Sequence, residues 1–220
     1  MNIGPYDLDD ALLPAARDAG TPQLALYQCD RVAVVVGRGG DPQREVDLAA
    51  AARSGVPVLR RSGGGCAVVL DRGNLVVSLA LPLPGLGAIR SAFNAISDWM
   101  IAGLSACGVG QVAQRGISDL AVADRKLGGS CIYRTRGLLY YSGTLLVAPD
   151  LTLIEQLLPH PVREPDYRRG RTHHAFLTSL AELGIADDPQ EFRRRLEPAL
   201  RQELNALWIT CRGFVPTEAA

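Results

Sequence analysis

Lys126 is the only lysine in a chain with 23 Lys and Arg residues. An ammonium on a flexible stem puts a point charge where a planar guanidinium fork does not fit. It sits in Arg125-Lys126-Leu127-Gly128-Gly129-Ser130, where two glycines leave room for a substrate against the charge. In a strand–turn–strand reading, Asp119 lies beside Lys126 and holds it; alone, Asp119 reads as an exposed loop acid. The second group is Arg60-Arg61-Ser62-Gly63-Gly64-Gly65-Cys66-Ala67. Three successive glycines let backbone approach a ligand and turn several N–H groups toward one point, which suits a phosphate. Two adjacent guanidiniums offer paired donors to the same anion, and spacing does not say which of Arg60 and Arg61 makes the contact. A flexible linker is the plain alternative, but a β-prone run begins at once at Ala67. The segment is neither a Walker A loop, since no Gly-Lys-Ser/Thr closes it, nor a GxGxxG fingerprint.

The elements that must position these groups follow from periodicity and punctuation. Residues 8–19 read as an amphipathic helix, and 24–27 and 32–36 as strands. Asp41-Pro42 pairs an N-cap acid with proline at the first helical position, opening a helix that runs to Ser54-Gly55. Strands 67–70 and 75–81 flank the turn Asp71-Arg72-Gly73-Asn74. A long helix follows with its core face at Ile89, Phe93, Ile96, Met100, Leu104 and Cys107. Strands are expected at 120–123, 130–133 and 138–147, and helices at 151–158, 175–183 and 189–207. The fold class is α/β (α+β), with mixed, mostly antiparallel sheets flanked by helices. Residues 1–185 are expected to form the catalytic domain, and 186–220 a terminal helix and tail of the same domain.

Composition narrows the function. Lys plus Arg equals Asp plus Glu at 23 each, which argues against nucleic acid or an acidic membrane as partner. No stretch of 18 uncharged apolar residues is present to span a bilayer, and the first ten residues lack the basic and apolar regions of a signal peptide. Cys29, Cys66, Cys107, Cys131 and Cys211 are odd in number and have no CxxC spacing, as in reduced cytosolic thiols. A cytoplasmic location is expected. His160, His173 and His174 form no zinc pattern, and no metal ligands are assigned.

Taken together, these blocks resemble the lipoate–protein ligase family. Arg60 to Gly65 followed by Asp71-Arg72-Gly73-Asn74-Leu75 is similar to that family's glycine segment. Asp119-Leu120-Ala121-Val122 with Arg125 to Ser130 resembles its lysine segment, and Ser142-Gly143-Thr144-Leu145-Leu146 its Gly-Thr-Leu-Leu strand. Val35-Val36-Gly37-Arg38 with Asp41-Pro42 matches an early block. Pro165-Asp166-Tyr167-Arg168 through Arg171, His173 and Phe176-Leu177-Thr178 resembles the tail of short-form members. The resemblance covers about residues 10 to 185.

The resemblance implies a fold shared with biotin–protein ligases and related to class II aminoacyl-tRNA synthetases. It also implies that lipoate and ATP with Mg2+ form lipoyl-AMP, from which a carrier lysine takes the acyl group. Lys126 and Asp119 are then the catalytic pair. Arg60, Arg61, Ser62, Gly63, Gly64, Gly65, Cys66, Ala67, Asn74, Gly128, Gly129, Ser130, Ser142, Gly143 and Thr144 bind substrate and ATP. An apolar slot for the acyl tail is expected from Val34, Val36, Val77 and Leu79. The implied partner is a lipoyl carrier: an E2 domain, an H protein, or a lipoate-binding protein of sulfur oxidation. An accessory domain like that of longer ligases is not expected within these 220 residues, so a separate small accessory protein is a further candidate partner. Departures stand at Ser142 for a common His, Ser118 for Asn, Gly128 for Ser or Ala, and Ser62 directly after Arg61. Two rivals remain: an octanoyl or lipoyl transferase using Cys131 or Cys66 as a thioester nucleophile without ATP, and a non-catalytic module that binds acyl groups or carriers. Biotin ligation is disfavoured by the missing arginine-glycine loop.

Overall fold

The computed structural model describes residues 3–84 and 89–214. In chain order the elements are β1 (Gly4–Pro5), α1 (Leu12–Ala19), β2 (Gln23–Gln28), β3 (Ala33–Val36), α2 (Pro42–Glu45), α3 (Leu48–Arg53), β4 (Val58–Arg60), β5 (Val68–Leu70) and β6 (Asn74–Pro82). Then come α4 (Ile89–Ala106), β7 (Val112–Arg115), β8 (Asp119–Val122), β9 (Arg125–Thr135), β10 (Leu138–Leu146), α5 (Leu151–Leu157), α6 (His173–Phe176), α7 (Pro189–Gln202) and α8 (Leu204–Gly213). The mixed class is as expected. One sheet has the order β1-β4-β3-β5, with parallel pairs β1–β4 and β3–β4. The larger sheet, β2-β6-β10-β9-β8-β7, is antiparallel throughout.

Side chains alternate across a strand, and the two faces of the larger sheet differ accordingly. Leu75, Val77, Leu79 and Leu81 of β6, with Leu139, Tyr141 and Leu145 of β10, pack against Ile96, Met100 and Leu104 of α4 and Phe192, Leu196 and Leu200 of α7. Each such side chain stabilises the fold by about 1.5–3 kcal/mol relative to exposure. Helix α8 joins the same core through Leu207 and Cys211. The other face turns toward the smaller sheet, where Val35, Leu70 and Val76 meet. No helix of the described residues is long and apolar enough to cross a membrane, and the five cysteines are free thiols.

Several elements differ from the periodicity reading, each for a local reason. The helix expected from Asp41 divides into α2 and α3 because Val46 turns extended and is buried, and Asp47 starts a new cap by accepting from Ala50 N. The helix expected over 175–183 stops at Phe176. Leu177 bridges to Lys126, Thr178 N donates to Lys126 O at 2.9 Å, and Leu180 N donates to Leu146 O at 2.9 Å. That segment thus follows the sheet instead of coiling. The last expected helix breaks at Glu203 into α7 and α8. The first begins only at Leu12, after a turn. Ile89, read as core, is 42% exposed.

Candidate active site

Strands β3, β5, β9 and β10, the glycine segment and residues 161–169 wall a cleft of about 1020 Å³. Lys126 and Asp119 meet there because β8 and β9 form a hairpin with a register skip. Ala121 faces Lys126 while Leu120 faces Gly128, which leaves Leu127 as the extra residue of a bulge. Bulges re-aim neighbouring side chains: Leu127 is fully buried in the core, whereas Lys126 stands on the cleft wall. Its Nζ lies 2.7 Å from Asp119 Oδ1, with side chains 27% and 16% exposed. The other carboxylate oxygen, Oδ2, accepts from Tyr167 OH at 2.9 Å. Burial, and then the Asp119 charge, push the Tyr167 phenol far above its ordinary value, so it remains a donor. Gly129 makes this arrangement possible: a Cβ there sits 2.7 Å from Lys126 Nζ and 3.4 Å from Asp119 Oδ1.

The glycine segment is fixed from both ends. Arg38 N donates to Gly63 O at 2.8 Å, and a Cβ on Gly63 is only 2.4 Å from Cys131 Sγ. Gly65 has φ +94°, a left-handed conformation that L side chains rarely take, and Gly64 faces open space. Arg61 braces the loop from inside: Nη1 donates to Val35 O at 3.0 Å, and Nη2 to Gly64 O at 2.7 Å and Cys66 O at 2.9 Å. Arg60 turns away, its Nη1 donating to Gly37 O, Arg38 O and Gly40 O. Arg61 is therefore the arginine on the cleft wall, and Arg60 holds the loop before α2.

Of the other residues read from sequence, Gly64, Gly65, Cys66, Ala67, Gly128, Gly129, Ser130, Ser142 and Thr144 line the cleft. Ala67 N donates to Glu45 Oε2 at 2.7 Å. Five expectations need correction. Gly63 is buried against Cys131 Sγ and is not part of the cleft wall. Asn74 is fully buried and donates from Nδ2 to Asp71 Oδ1 at 2.7 Å, bracing the turn. Ser62 is exposed beside Tyr133, away from the cleft wall. Gly143 is buried against the Tyr141 hydroxyl. Val34 and Val36 pack with α3 and α5, and Val77 and Leu79 against α4, so none of the four lines the cleft. The apolar wall consists instead of Val35, Val68, Leu70, Ile154, Leu158 and Phe176, among others.

The lipoyl protein ligase A/B catalytic domain profile matches residues 5–201. The chain belongs to this family. A Putative lipoate-protein ligase A of Aeropyrum pernix is 33% identical over 152 residues, 69% of this chain and 56% of that relative; the chain thus spans just over half of that relative's length. Octanoyltransferase LipM of Kyrpidia tusciae is 28% identical over 221 residues, covering 89% and 79%. Among solved structures, the putative lipoate protein ligase of T. acidophilum with bound lipoic acid superposes with TM-score 0.74 at 20% identity, covering 93% of this chain and 83% of that one. A lipoate-protein ligase A bound with ATP gives 0.73 at 21%, covering 89% and 79%. At these identities the structural likeness is one of fold.

Within this lipoyl ligase fold, the sequence reading missed Tyr167. It lay inside the tail block Pro165 to Thr178, where the resemblance gave no role to single residues. Its ring packs against Phe176, tilted by 50° with centroids 5.1 Å apart, and Arg115 lies over it at 5.5 Å. The hydroxyl reaches Asp119 because Arg171 pins this segment, donating to Tyr167 O and Asp124 O.

Proposed function

We propose that the chain is an ATP-dependent ligase that joins lipoate, or a similar acyl acid, to a carrier lysine through an acyl-adenylate. The observation that carries this reading is the Lys126 ammonium, held 2.7 Å from Asp119 in the cleft that Gly64 and Gly65 also line. In the first step a carboxylate oxygen attacks the α-phosphorus of ATP and pyrophosphate leaves. In the second, the neutral carrier ε-amine attacks the acyl carbon, the C–O bond to phosphate breaks, AMP leaves with the electron pair, and the amine gives up one proton to solvent. Both steps place negative charge on phosphate and acyl oxygens. A preorganised donor there contributes roughly 3–4 kcal/mol. Lys126 supplies that charge, the glycine backbone and Arg61 flank the phosphate, and Asp119 with Tyr167 keeps the ammonium in place. Among the described residues no group of three or more His, Cys, Asp or Glu gathers to hold a metal; Mg2+ would arrive with ATP, as the MgATP substrate. The bound lipoic acid and ATP of the two solved relatives support the choice of substrates. The partner is a lipoyl carrier domain, with a separate accessory protein as a second candidate.

Similarity to an octanoyltransferase favours a second reading, a thioester on Cys131 or Cys66. Burial pushes the Cys131 thiol up, against thiolate formation, and Gly63 packs over its sulfur. The Cys66→Ala, Cys131→Ala double variant is expected to keep ATP-dependent transfer within about twofold. Mass spectrometry of a carrier incubated with enzyme, ATP and lipoate checks this; ATP-independent transfer lost in the double variant refutes the ligase reading. Gly129→Ala is expected to push Nζ off Asp119 and lower kcat roughly 10- to 100-fold. An unchanged kcat means that the ammonium's position is not critical.

A further inference from the structure

A carrier lysine reaches the acyl carbon on a stem of only four methylenes, so the folded body of the carrier must rest on the rim of the cleft. One stretch of that rim is the turn between β7 and β8. Arg115 and Asp119 face each other at its two ends, and Gly116, Ile117 and Ser118 line the cleft. Two residues of chain keep Ile117 within about 7 Å of Asp119.

Turns are built mostly of Gly, Pro, Asn, Asp and Ser. Gly116, with φ +57°, and Ser118 follow that rule; Ile117 does not. It is 81% exposed, more than any other large hydrophobic residue described. The turn that carries it is nevertheless braced. Gln114 Nε2 donates to Ile117 O at 2.7 Å and to Asn94 Oδ1 of α4 at 3.2 Å. Arg115 Nη2 pairs with Asp124 Oδ1 at 2.6 Å, and a Cβ on Gly116 sits 3.4 Å from Pro165 Cβ. A single surface isoleucine is ordinary in itself. Held at a fixed place on this rim, it leaves apolar area bare where a partner must touch. Val162, 50% exposed, stands likewise between Pro161 and Arg163, which line the same cleft. Charge indicates the kind of partner. Arg163 and Arg169 are exposed, line the cleft and make no ion pair among the described residues. Of the acids lining the cleft, Asp119 pairs with Lys126, and Glu164 with His160 and Arg168, so only Asp166 opposes them. The rim is net positive.

We propose, resting on the ligase reading, that the β7–β8 turn and residues 162–169 form the surface on which the carrier docks. The carrier face that bears the lysine then offers an apolar residue to cover Ile117 and acids to meet Arg163 and Arg169. Covering a rigid apolar anchor supplies affinity, and the opposite charges supply orientation and encounter rate.

The test compares a large acceptor with a small one, using the full chain, ATP and lipoate. The large acceptors are an unlipoylated E2 lipoyl domain and an unlipoylated H protein; the small one is hydroxylamine, which takes the acyl group from an adenylate without docking. With its side chain in solvent, Ile117 carries little of the fold, so Ile117→Asp and Ile117→Lys both remain folded. Ile117→Asp is expected to raise KM for the carrier about tenfold or more, while hydroxamate formation stays within about twofold of wild type. Ile117→Lys, which adds charge of the favourable sign, is expected to raise that KM less. An unchanged carrier KM in Ile117→Asp overturns the proposal, as does a lysine variant no better than the aspartate. Equal losses with carrier and hydroxylamine also overturn it, because the turn then serves only to hold Asp119. A wild type that forms the hydroxamate and acylates neither carrier overturns it too. Absence of hydroxamate in the wild type counts against the ligase reading alone. Calorimetric affinities of wild type and Ile117→Asp for the two carriers then decide the docking surface, a tenfold difference supporting it and equal values refuting it.

Discussion

Lys126→Arg is expected to lower adenylate formation at least about 100-fold while leaving the fold intact. Charge is conserved in this substitution, so the loss must come from geometry. The ammonium is a compact donor whose Nζ lies 2.7 Å from Asp119 Oδ1 and whose stem crosses the bare backbone of Gly129. A planar guanidinium is wider and presents its donors in a fixed fork. It pairs bidentately with Asp119 and displaces Tyr167 from Oδ2, and it cannot turn one donor to two oxygens in succession. Single-turnover kinetics with circular dichroism as a fold control measure the effect. Near-full activity in Lys126→Arg counts against the mechanism.

The largest expected loss of stability is at Asp71. Its carboxylate is only 5% exposed and serves three donors: Gly73 N and Asn74 Nδ2 at 2.7 Å to Oδ1, and Asp150 N at 2.8 Å to Oδ2. These bonds tie the turn before β6 to the start of α5. The approach is close, since a Cβ on Gly73 would lie 1.9 Å from Ala148 O. Asp71→Ala leaves three donors without an acceptor, each at roughly 1–3 kcal/mol, so a loss of at least about 3 kcal/mol is expected. For a chain of this size that corresponds to a fall in Tm of roughly 10 °C. Urea denaturation of the two proteins reads it directly. A loss below about 1 kcal/mol means that water replaces the carboxylate and that the turn does not depend on it.

The candidate site was partly legible in residue types alone. A single lysine beside two glycines, and a triple glycine after two arginines, are unusual choices on any strand or turn, and both stand on one cleft. The roles of the arginines were not legible. A guanidinium near a loop is drawn as readily to backbone carbonyls as to a phosphate, and Arg60 is satisfied by three of them. Asn74 likewise reads as a ligand contact until Asp71 is seen to hold it. The acyl slot failed for a different reason. Period-two alternation assigns Val77 and Leu79 to one face of β6, but only the pairing with β10 and the packing of α4 show that this face is the core. Tyr167 reaches Asp119 across 48 residues of chain, a contact that no local pattern encodes. Helix lengths erred where the ends of β9 and β10 captured a helix-prone segment, as at Leu177 and Thr178.

Labelled pyrophosphate mixed with ATP, the wild-type chain and lipoate probes the central idea most directly, because label enters ATP only if an acyl-adenylate forms reversibly. Lipoate-dependent incorporation is expected, together with its loss when Lys126 becomes Arg. Carrier acylation that proceeds from an acyl thioester while no label enters ATP with any acid contradicts the account.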